Sequence, residues 1–170
     1  AGAYSPLTNT MYYPLRNTCA TMLATGNFDS EVAQALTEGG QGGLEIYQLA
    51  ARHQVTPGTT NLGTVRAISA ETGRTEWLFE TRAGTMSLVA TGGGLVFGGD
   101  ANGRFRAFDH RTGEILWEIN IGSSVSGYPI TFEVDGTQYI AVNTGGGQVN
   151  LTPELRPSRG TNLYVFALPN

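Results

Sequence analysis

The feature that most constrains the fold of this chain is an internal repeat of 15 residues, Gly63–Trp77 and Gly103–Trp117. The two copies start 40 positions apart and share Gly, Arg, Ala, Thr, Gly and Trp in register. Both copies end on Trp, and the chain contains only 2 tryptophans. Self-similarity at a period of about 40 residues is typical of propeller blades, in which each repeat forms a four-stranded sheet. The repeat therefore predicts antiparallel blades.

Alternating apolar segments outside the repeat predict further strands. The dipeptide Asp135-Gly136 is the best hairpin signal in the chain, because both residues tolerate the positive φ of a tight turn. Counting strands gives an all-β chain of about three four-stranded antiparallel blades, the last of them incomplete. The segments outside the repeat that we interpret as strands are Met11–Pro14, Leu44–Leu49, Tyr128–Val134, Gln138–Val142 and Leu163–Leu168.

Two segments break this pattern. Leu15–Leu23 is polar in its middle and has no clean period, so we predict a loop there. Residues 28–43 are acidic and rich in glycine, which predicts an exposed loop insertion, with one or two helical turns over Glu31–Leu36.

Composition excludes several classes of function. A net charge of -4 and a pI near 5.1 leave no basic stripe for phosphate contacts, so we expect no binding to nucleic acid. No apolar run is long enough for a membrane span. Cys19 is the single cysteine, which precludes an internal disulfide, and we expect it to be a buried free thiol. The chain starts at Ala1 rather than Met, which indicates a fragment or a processed product.

The residue types of the repeat suit blade architecture. Side chains alternate along a strand, so Phe105 and Ala107 should share one face, with Arg106 and Phe108 on the other. We expect the Trp at the end of each copy to dock against a neighbouring blade, because so large a side chain links two sheets.

Three other residues of the repeat receive structural interpretations. His110 lies in the predicted turn, where we expect it to be exposed. Arg66 and Arg106 occupy the same position of the two copies, which indicates a shared surface role or a pairing role between blades.

The pattern Ala-x-Asp-x-x-Thr-Gly-x-x-x-Trp, met by Ala107, Asp109, Thr112, Gly113 and Trp117, resembles the tryptophan-docking motif of quinoprotein alcohol dehydrogenases. These enzymes depend on pyrroloquinoline quinone (PQQ). The first copy departs from the motif by having Ser at the Asp position. Tyr4–Cys19 is similar to the segment that precedes the family's last blades. The family's C-terminal blades are similar to Gly84–Asp100, Tyr128–Thr131, Gly136–Val142 and Asn162–Pro169.

This resemblance implies that residues 1–170 are the C-terminal blades of one eight-bladed propeller domain, completed by a missing N-terminal part. In the family, PQQ and a Ca²⁺ or lanthanide ion lie on the propeller axis, where hydride passes from the alcohol to the quinone. The metal ligands and the catalytic Asp belong to earlier blades. The resemblance therefore gives this chain no catalytic or metal residue and implies that the chain alone is inactive.

The resemblance gives three candidate cofactor contacts. Asn17 matches an Asn that the family points at the quinone, and the alternative is an Asn that holds its own loop. Gly145, Gly146 and Gly147 match a loop near the cofactor, with a plain turn as the alternative. Arg82 stands in place of a Trp of methanol-type enzymes and is a candidate partner for a PQQ carboxylate.

We therefore expect part of a periplasmic enzyme that oxidises a primary or secondary alcohol, or a sugar or polyol. Its expected partners are the remaining N-terminal propeller polypeptide, a small alcohol substrate and a separate cytochrome c as electron acceptor. The alternative is a non-catalytic propeller scaffold of the outer-membrane assembly lipoprotein type, which would need no residues facing a quinone.

Overall fold

A computed structural model describes residues 1–25, 48–145, 155 and 158–167. Every regular secondary-structure element in these residues is a β-strand. No helix in this part of the chain is long and apolar enough to cross a bilayer. The strands are β1 (Ala3–Ser5), β2 (Thr10–Arg16), β3 (Thr18–Thr25), β4 (Gln48–Val55), β5 (Gly63–Ser69), β6 (Thr75–Thr81), β7 (Thr85–Ala90), β8 (Leu95–Asp100), β9 (Arg104–Asp109), β10 (Ile115–Asn120), β11 (Ile130–Val134), β12 (Thr137–Asn143) and β13 (Leu163–Ala167).

The strands form three antiparallel blades. Blade 1 has the order β1-β2-β5-β6, blade 2 the order β7-β8-β9-β10, and blade 3 the order β11-β12-β13. Each copy of the repeat forms the two consecutive strands at one edge of its blade, β5 and β6 or β9 and β10. The predicted fold class is confirmed, with two four-stranded blades and one three-stranded blade in the part of the chain that the structure describes.

The loop expected over Leu15–Leu23 is wrong. Strand β2 continues to Arg16, and β3 begins at Thr18 and pairs antiparallel with β4 along its whole length. This two-stranded hairpin interrupts blade 1 between β2 and β5. Pairing with β4 satisfies the backbone of β3 whatever its side-chain pattern, which is why periodicity alone missed it. Residues 28–43 lie outside the described residues, as does the start of the predicted strand Leu44–Leu49.

The hairpin predicted at Asp135-Gly136 is confirmed. Asp135 has φ 49° and Gly136 has φ 78°, and Val134 pairs directly with Thr137. Two consecutive residues with positive φ are typical of a type I′ turn, whose twist matches that of the strands it joins.

The junction between blades 1 and 2 is built on Trp77. Its ring lies 5.7 Å from that of Tyr12 and stacks at 6.1 Å on that of Phe108 in blade 2. Its Nε1 donates a 3.1 Å hydrogen bond to the carbonyl of His110, which also accepts one of 2.9 Å from the Tyr12 hydroxyl. Trp77 thus fills the junction, and its indole N–H has its hydrogen-bond acceptor on blade 2.

The junction between blades 2 and 3 uses the opposite face of β9. Phe105 and Ala107 pack in a cluster with Ile140 and Val142 of blade 3, whereas Phe108 packs towards blade 1. The predicted alternation of faces is confirmed. Trp117 contacts blade 3 through Phe166 at 5.3 Å and stays 37% exposed, compared with 8% for Trp77.

Cys19 is exposed, so the expected buried thiol is wrong. It is the second residue of β3, at the base of the inserted hairpin, with Thr56 Oγ1 3.7 Å from its sulfur.

The turn between β9 and β10 depends on Asp109. Its Oδ1 accepts hydrogen bonds from the backbone amides of Arg111 and Thr112, each at 2.9 Å, and from the Thr112 hydroxyl at 3.1 Å. The hydrogen bonds from the Thr112 and Arg111 amides hold the pKa of Asp109 below its ordinary value. In the first copy, Ser69 Oγ accepts a 3.2 Å bond from the Thr72 amide.

Gly113 and Gly73 occupy the same turn position and allow a matched test. Both have positive φ, 73° and 71°, but a Cβ on Gly113 would lie 2.6 Å from Trp77, whereas one on Gly73 would meet nothing within 4 Å. Gly73→Ala should lower the free energy of unfolding by about 1–2 kcal/mol through φ strain alone. Gly113→Ala should lower the free energy of unfolding by the same strain and by about 1–3 kcal/mol more, because its Cβ overpacks against Trp77. Urea unfolding checks both variants, and equal losses would contradict the docking role of Gly113.

A second prediction concerns pH. Because the folded-state pKa of Asp109 is lowered, its stabilising contribution is present above the unfolded-state pKa and disappears as pH falls through the folded-state value. Asp109→Ser, which copies the first repeat, should be less stable than the parent by about 1 kcal/mol at pH 7. The difference should shrink below about pH 4. Urea unfolding at several pH values measures it, and a difference that stays constant with pH would refute the assignment.

Candidate functional site

The three blades bring one set of strand ends to the same side of the stack. In blade 1 this end is marked by Arg16, which pairs with Gly63, and Gly63 pairs in turn with Thr81. We call it the Asn17 end, after the residue that follows β2. The equivalent pairs are Arg104 with Asn120 in blade 2, and Asn143 with Leu163 in blade 3.

A continuous series of hydrogen bonds runs along the Asn17 end from blade 1 to blade 3. The backbone of Leu62 accepts from the Asn17 amide at 2.7 Å and donates to the Arg82 carbonyl at 3.4 Å. The series continues from Ala101 to Gly84 at 3.0 Å, from the Ser124 hydroxyl to Ala101 at 2.5 Å, and from the Gly145 amide to Ser124 at 3.0 Å. The structure therefore places Asn17, Arg82 and Gly145 along one edge of the molecule.

Asn17 lies where the inserted hairpin leaves blade 1. Its carbonyl accepts from the Thr56 amide at 3.0 Å, and its side-chain Nδ2 donates to the Asn61 carbonyl at 3.1 Å. The side chain is half-buried. It makes no other hydrogen bond to a described residue, so one amide hydrogen and Oδ1 are not engaged by this part of the chain.

Arg82 approaches the same backbone segment from the end of β6. Its Nη1 donates a 2.8 Å hydrogen bond to the carbonyl of Thr60, the residue before Asn61. The Thr60–Leu62 segment thus holds both Asn17 and Arg82. A guanidinium presents five N–H donors in a planar fork, a geometry that matches a carboxylate.

Gly145 marks the Asn17 end of blade 3. It has φ 108°, and a Cβ there would lie 2.5 Å from Thr161 Oγ1. The position therefore requires glycine for its conformation and for its close neighbour alike. Gly146 and Gly147 lie outside the described residues.

The side chains at the Asn17 end have donors that match the polar groups of PQQ. The guanidinium of Arg82 suits a carboxylate, and the amide of Asn17 suits a carbonyl oxygen. The donor chemistry fits a carboxylated quinone at the Asn17 end. Within the described ranges, no three His, Cys, Asp or Glu side chains are grouped so that they could hold a metal ion.

A charged cluster at the Asn17 end of blade 2, in which Asp100 and Arg106 are buried, was not predicted from the sequence. Arg106 forms ion pairs with Asp100 at 2.8 Å and with Glu118 at 2.6 Å, and Arg104 also pairs with Glu118. Burial raises the pKa of Glu118, but the Arg106 and Arg104 charges and hydrogen bonds outweigh it and hold that pKa below its ordinary value. Asp100 Oδ1 also accepts from the Asn102 and Arg104 amides, which fixes the turn before β9.

The cluster could have been predicted by comparing the two copies of the repeat and their flanking residues. Forty positions before Asp100 and Glu118 stand Thr60 and Leu78, so the first copy has an arginine without these acidic partners. Arg66 instead donates to Thr75 Oγ1 at 3.5 Å, whereas Arg106 lies 5.4 Å above the Phe79 ring of blade 1. The pairing role between blades is therefore found for Arg106.

His110 is buried, at 8% exposure, so its predicted exposure is wrong. Trp77 and Tyr12 both donate to the His110 carbonyl, and their side chains cover the turn. The imidazole packs beside Gly94. Its Nε2 accepts a 3.3 Å hydrogen bond from Arg111 Nε, whereas its Nδ1 has no partner among the described residues.

Known proteins resemble the chain over this same architecture. Residues 82–140 match the family described as PQQ glucose/ethanol/alcohol dehydrogenase, β-propeller domain. A quinoprotein ethanol dehydrogenase of Pseudomonas putida is 40% identical over 117 residues, which are 64% of this chain and 19% of the relative. A 1-butanol dehydrogenase (cytochrome c) of Thauera butanivorans is 31% identical over 172 residues, which are 98% of this chain and 24% of the relative.

Among solved structures, a europium-containing methanol dehydrogenase superposes with a TM-score of 0.78 and 26% identity. The superposition covers 98% of this chain and 32% of that protein. The chain thus spans about a fifth to a quarter of the length of the two curated relatives described.

Proposed function

We propose that this chain, which belongs to the PQQ-dependent quinoprotein alcohol dehydrogenases, supplies part of the cofactor-binding propeller of an enzyme that oxidises a primary or secondary alcohol. A sugar or polyol is included in that substrate class. The observation that carries the proposal is the shared position of Asn17, Arg82 and Gly145 along the Asn17 end, tied by one series of hydrogen bonds. The family relationship supports the chemistry.

Each of these residues has a distinct role in the proposal. PQQ, when bound, accepts the hydride from the alcohol. Asn17 donates its unengaged amide hydrogen to a quinone carbonyl, and Arg82 pairs with a carboxylate of the cofactor. Gly145, with Gly146 and Gly147, lets the backbone approach the planar ring. The chain's own contribution is to bind and orient the cofactor.

The remaining chemistry belongs to other blades of the same enzyme. The catalytic Asp and the ligands of Ca²⁺ or a lanthanide lie in the N-terminal part of the propeller in this proposal. The europium in the name of the related methanol dehydrogenase supports a metal beside the quinone. On this basis the chain alone is inactive.

In this proposal the electron acceptor would be a separate cytochrome c in the periplasm. The name of the butanol dehydrogenase relative, with cytochrome c as acceptor, supports this partner.

The apolar outer faces of the stack support completion by further blades. Blade 1 exposes Tyr13 and Leu78 on its outer face, at 38% and 46%, and blade 3 exposes Leu163 and Val165, at 70% and 50%. In the described part of the chain, β13 pairs only with β12 and leaves one edge open. Apolar faces and open edges of this kind favour association. The proposed occupant is the remaining N-terminal propeller polypeptide.

The proposal is tested on the intact protein that carries this chain. Denaturation followed by absorbance and mass spectrometry should release PQQ, and alcohols should reduce cytochrome c only after the protein has been loaded with PQQ and a metal ion. A preparation that neither contains nor takes up PQQ would point to a non-catalytic scaffold and sink the proposal.

Two variants test the cofactor contacts. Arg82→Gln should weaken PQQ binding by about tenfold or more, because it removes a charge-assisted pair. Asn17→Ala should weaken it by about fivefold, because it removes one neutral hydrogen bond. Titration of the metal-loaded protein with PQQ, followed by absorbance, measures both.

Arg74→Gln is the matched control, since Arg74 lies in the turn at the opposite end of the same blade. It should bind PQQ as the parent does. If Arg82→Gln also binds normally while unfolding like the parent, Arg82 serves only to hold the Thr60 carbonyl and the proposed contact is wrong.

A further prediction concerns the outer face of blade 3. Produced alone, the 170-residue chain should associate, because Val165 and its neighbours remain uncovered. Val165→Lys should reduce the association, since a charge on an edge strand opposes strand and face pairing. Sedimentation velocity checks both chains. A parent chain that sediments as a monomer and melts cooperatively would contradict the expected completion.

A further inference from the structure

A polar cleft lies at the opposite end of the junction between blades 1 and 2, away from the Asn17 end. Its volume is about 270 Å³. It is lined by Thr8, Thr10, Glu76, His110 and Arg111. Thr10 begins β2, whereas Asn17 follows the last residue of that strand, so β2 separates the cleft from the proposed cofactor site.

Opposite charges line the cleft without neutralising each other. Glu76 comes from β6 of blade 1, and Arg111 comes from the turn after β9 of blade 2. Neither belongs to an ion pair with any residue that the structure describes. The terminal nitrogens of Arg111 make no hydrogen bond to a described residue, because its one side-chain bond in this part of the chain uses Nε.

His110 orients Arg111 in this arrangement. Because Arg111 Nε always carries a hydrogen, Nε2 of His110 is the acceptor of their 3.3 Å bond. A neutral imidazole then carries its hydrogen on Nδ1, which is buried without a partner among the described residues. Because Nδ1 is inaccessible, a molecule in the cleft does not reach it, and His110 acts on the cleft through its bond to Arg111.

We propose that this cleft binds a small zwitterionic α-amino acid. Its carboxylate accepts hydrogen bonds from the terminal nitrogens of Arg111, whose Nε is held by His110, and its ammonium group pairs with Glu76. The Thr8 and Thr10 hydroxyls lie beside the same site. A zwitterion meets both unpaired charges at once, whereas a simple anion would face Glu76 and a simple cation would face Arg111.

The volume of the cleft restricts the size of the ligand, and a comparison of the two repeat copies shows that the site is specific to this junction. Sites for drug-sized molecules have about 300–1,000 Å³, so a cleft below this range suits an amino acid with a small side chain, such as glycine or alanine. In the first copy of the repeat, Ala70 and Glu71 stand where the second has His110 and Arg111. The site therefore belongs to this junction and not to the blade motif in general.

Binding is tested on the intact protein that carries the chain, by equilibrium dialysis with radiolabelled glycine and alanine. One molecule should bind per chain. Acetate and methylamine, which each carry one of the two charges, should compete at least tenfold more weakly. Absence of saturable binding, or acetate competing as well as glycine, would overturn the proposal. The assay needs no PQQ and no turnover, so its outcome is independent of the dehydrogenase function.

Variants locate the site. Arg111→Gln and Glu76→Gln should each weaken binding by about tenfold, because each removes a charge-assisted contact. His110→Ala, which restores the residue of the first copy, should weaken it less. Glu133→Gln and Arg159→Gln change exposed charges outside the cleft and should leave it unchanged. Circular dichroism melts of Arg111→Gln confirm that it is folded, and a folded variant with parental affinity places the site elsewhere and refutes the proposal.

Discussion

The docking of Trp77 on the neighbouring blade is the interaction on which the rest of the arrangement depends. The indole ring packs against Gly113 and Phe108 and donates to the His110 carbonyl, which also accepts from Tyr12. A single carbonyl with two donors from the adjacent blade fixes the distance and the rotation between the sheets. Removal of the large indole would cost both apolar burial and a satisfied donor, so the junction has few alternative packings.

The position of the candidate cofactor site follows from this junction. Asn17, Arg82 and Gly145 lie in different blades or in different connections, and no one strand holds them together. Their common edge exists because fixed blades place the connections within hydrogen-bond distance, as between Ala101 and Gly84. The buried pair of Asp100 and Arg106 strengthens the same edge, since it fixes the turn that carries Ala101.

The features that could be predicted from the sequence are those that local patterns of residues encode. The blades, the Asp135-Gly136 hairpin and the alternate faces of β9 follow from turn chemistry and a period of two, and all are found. Burial of His110 could not be predicted, because it is imposed by Tyr12, which is 98 positions away in the chain. The β3–β4 hairpin was missed because pairing, and not side-chain pattern, makes it a strand pair. Candidate contacts at Asn17 and Arg82 came from a family resemblance, and spacing alone would not have indicated them.

Positions that are shared by the two copies of the repeat and positions that differ between them have different roles. Positions shared by both copies, such as Gly73 with Gly113 and Trp77 with Trp117, serve turns and junctions that every blade needs. Arg82 corresponds to Gly122, Glu76 to Leu116 and Arg111 to Glu71, so none of these charges is required to build a blade. Divergence between the copies also serves structure, since Asp100 and Glu118 have no acidic counterparts in the first copy and pair with Arg106. A charge that differs between the copies therefore indicates a candidate functional residue only where it also lies at a site, as Arg82 does at the Asn17 end and as Glu76 and Arg111 do in the opposite cleft.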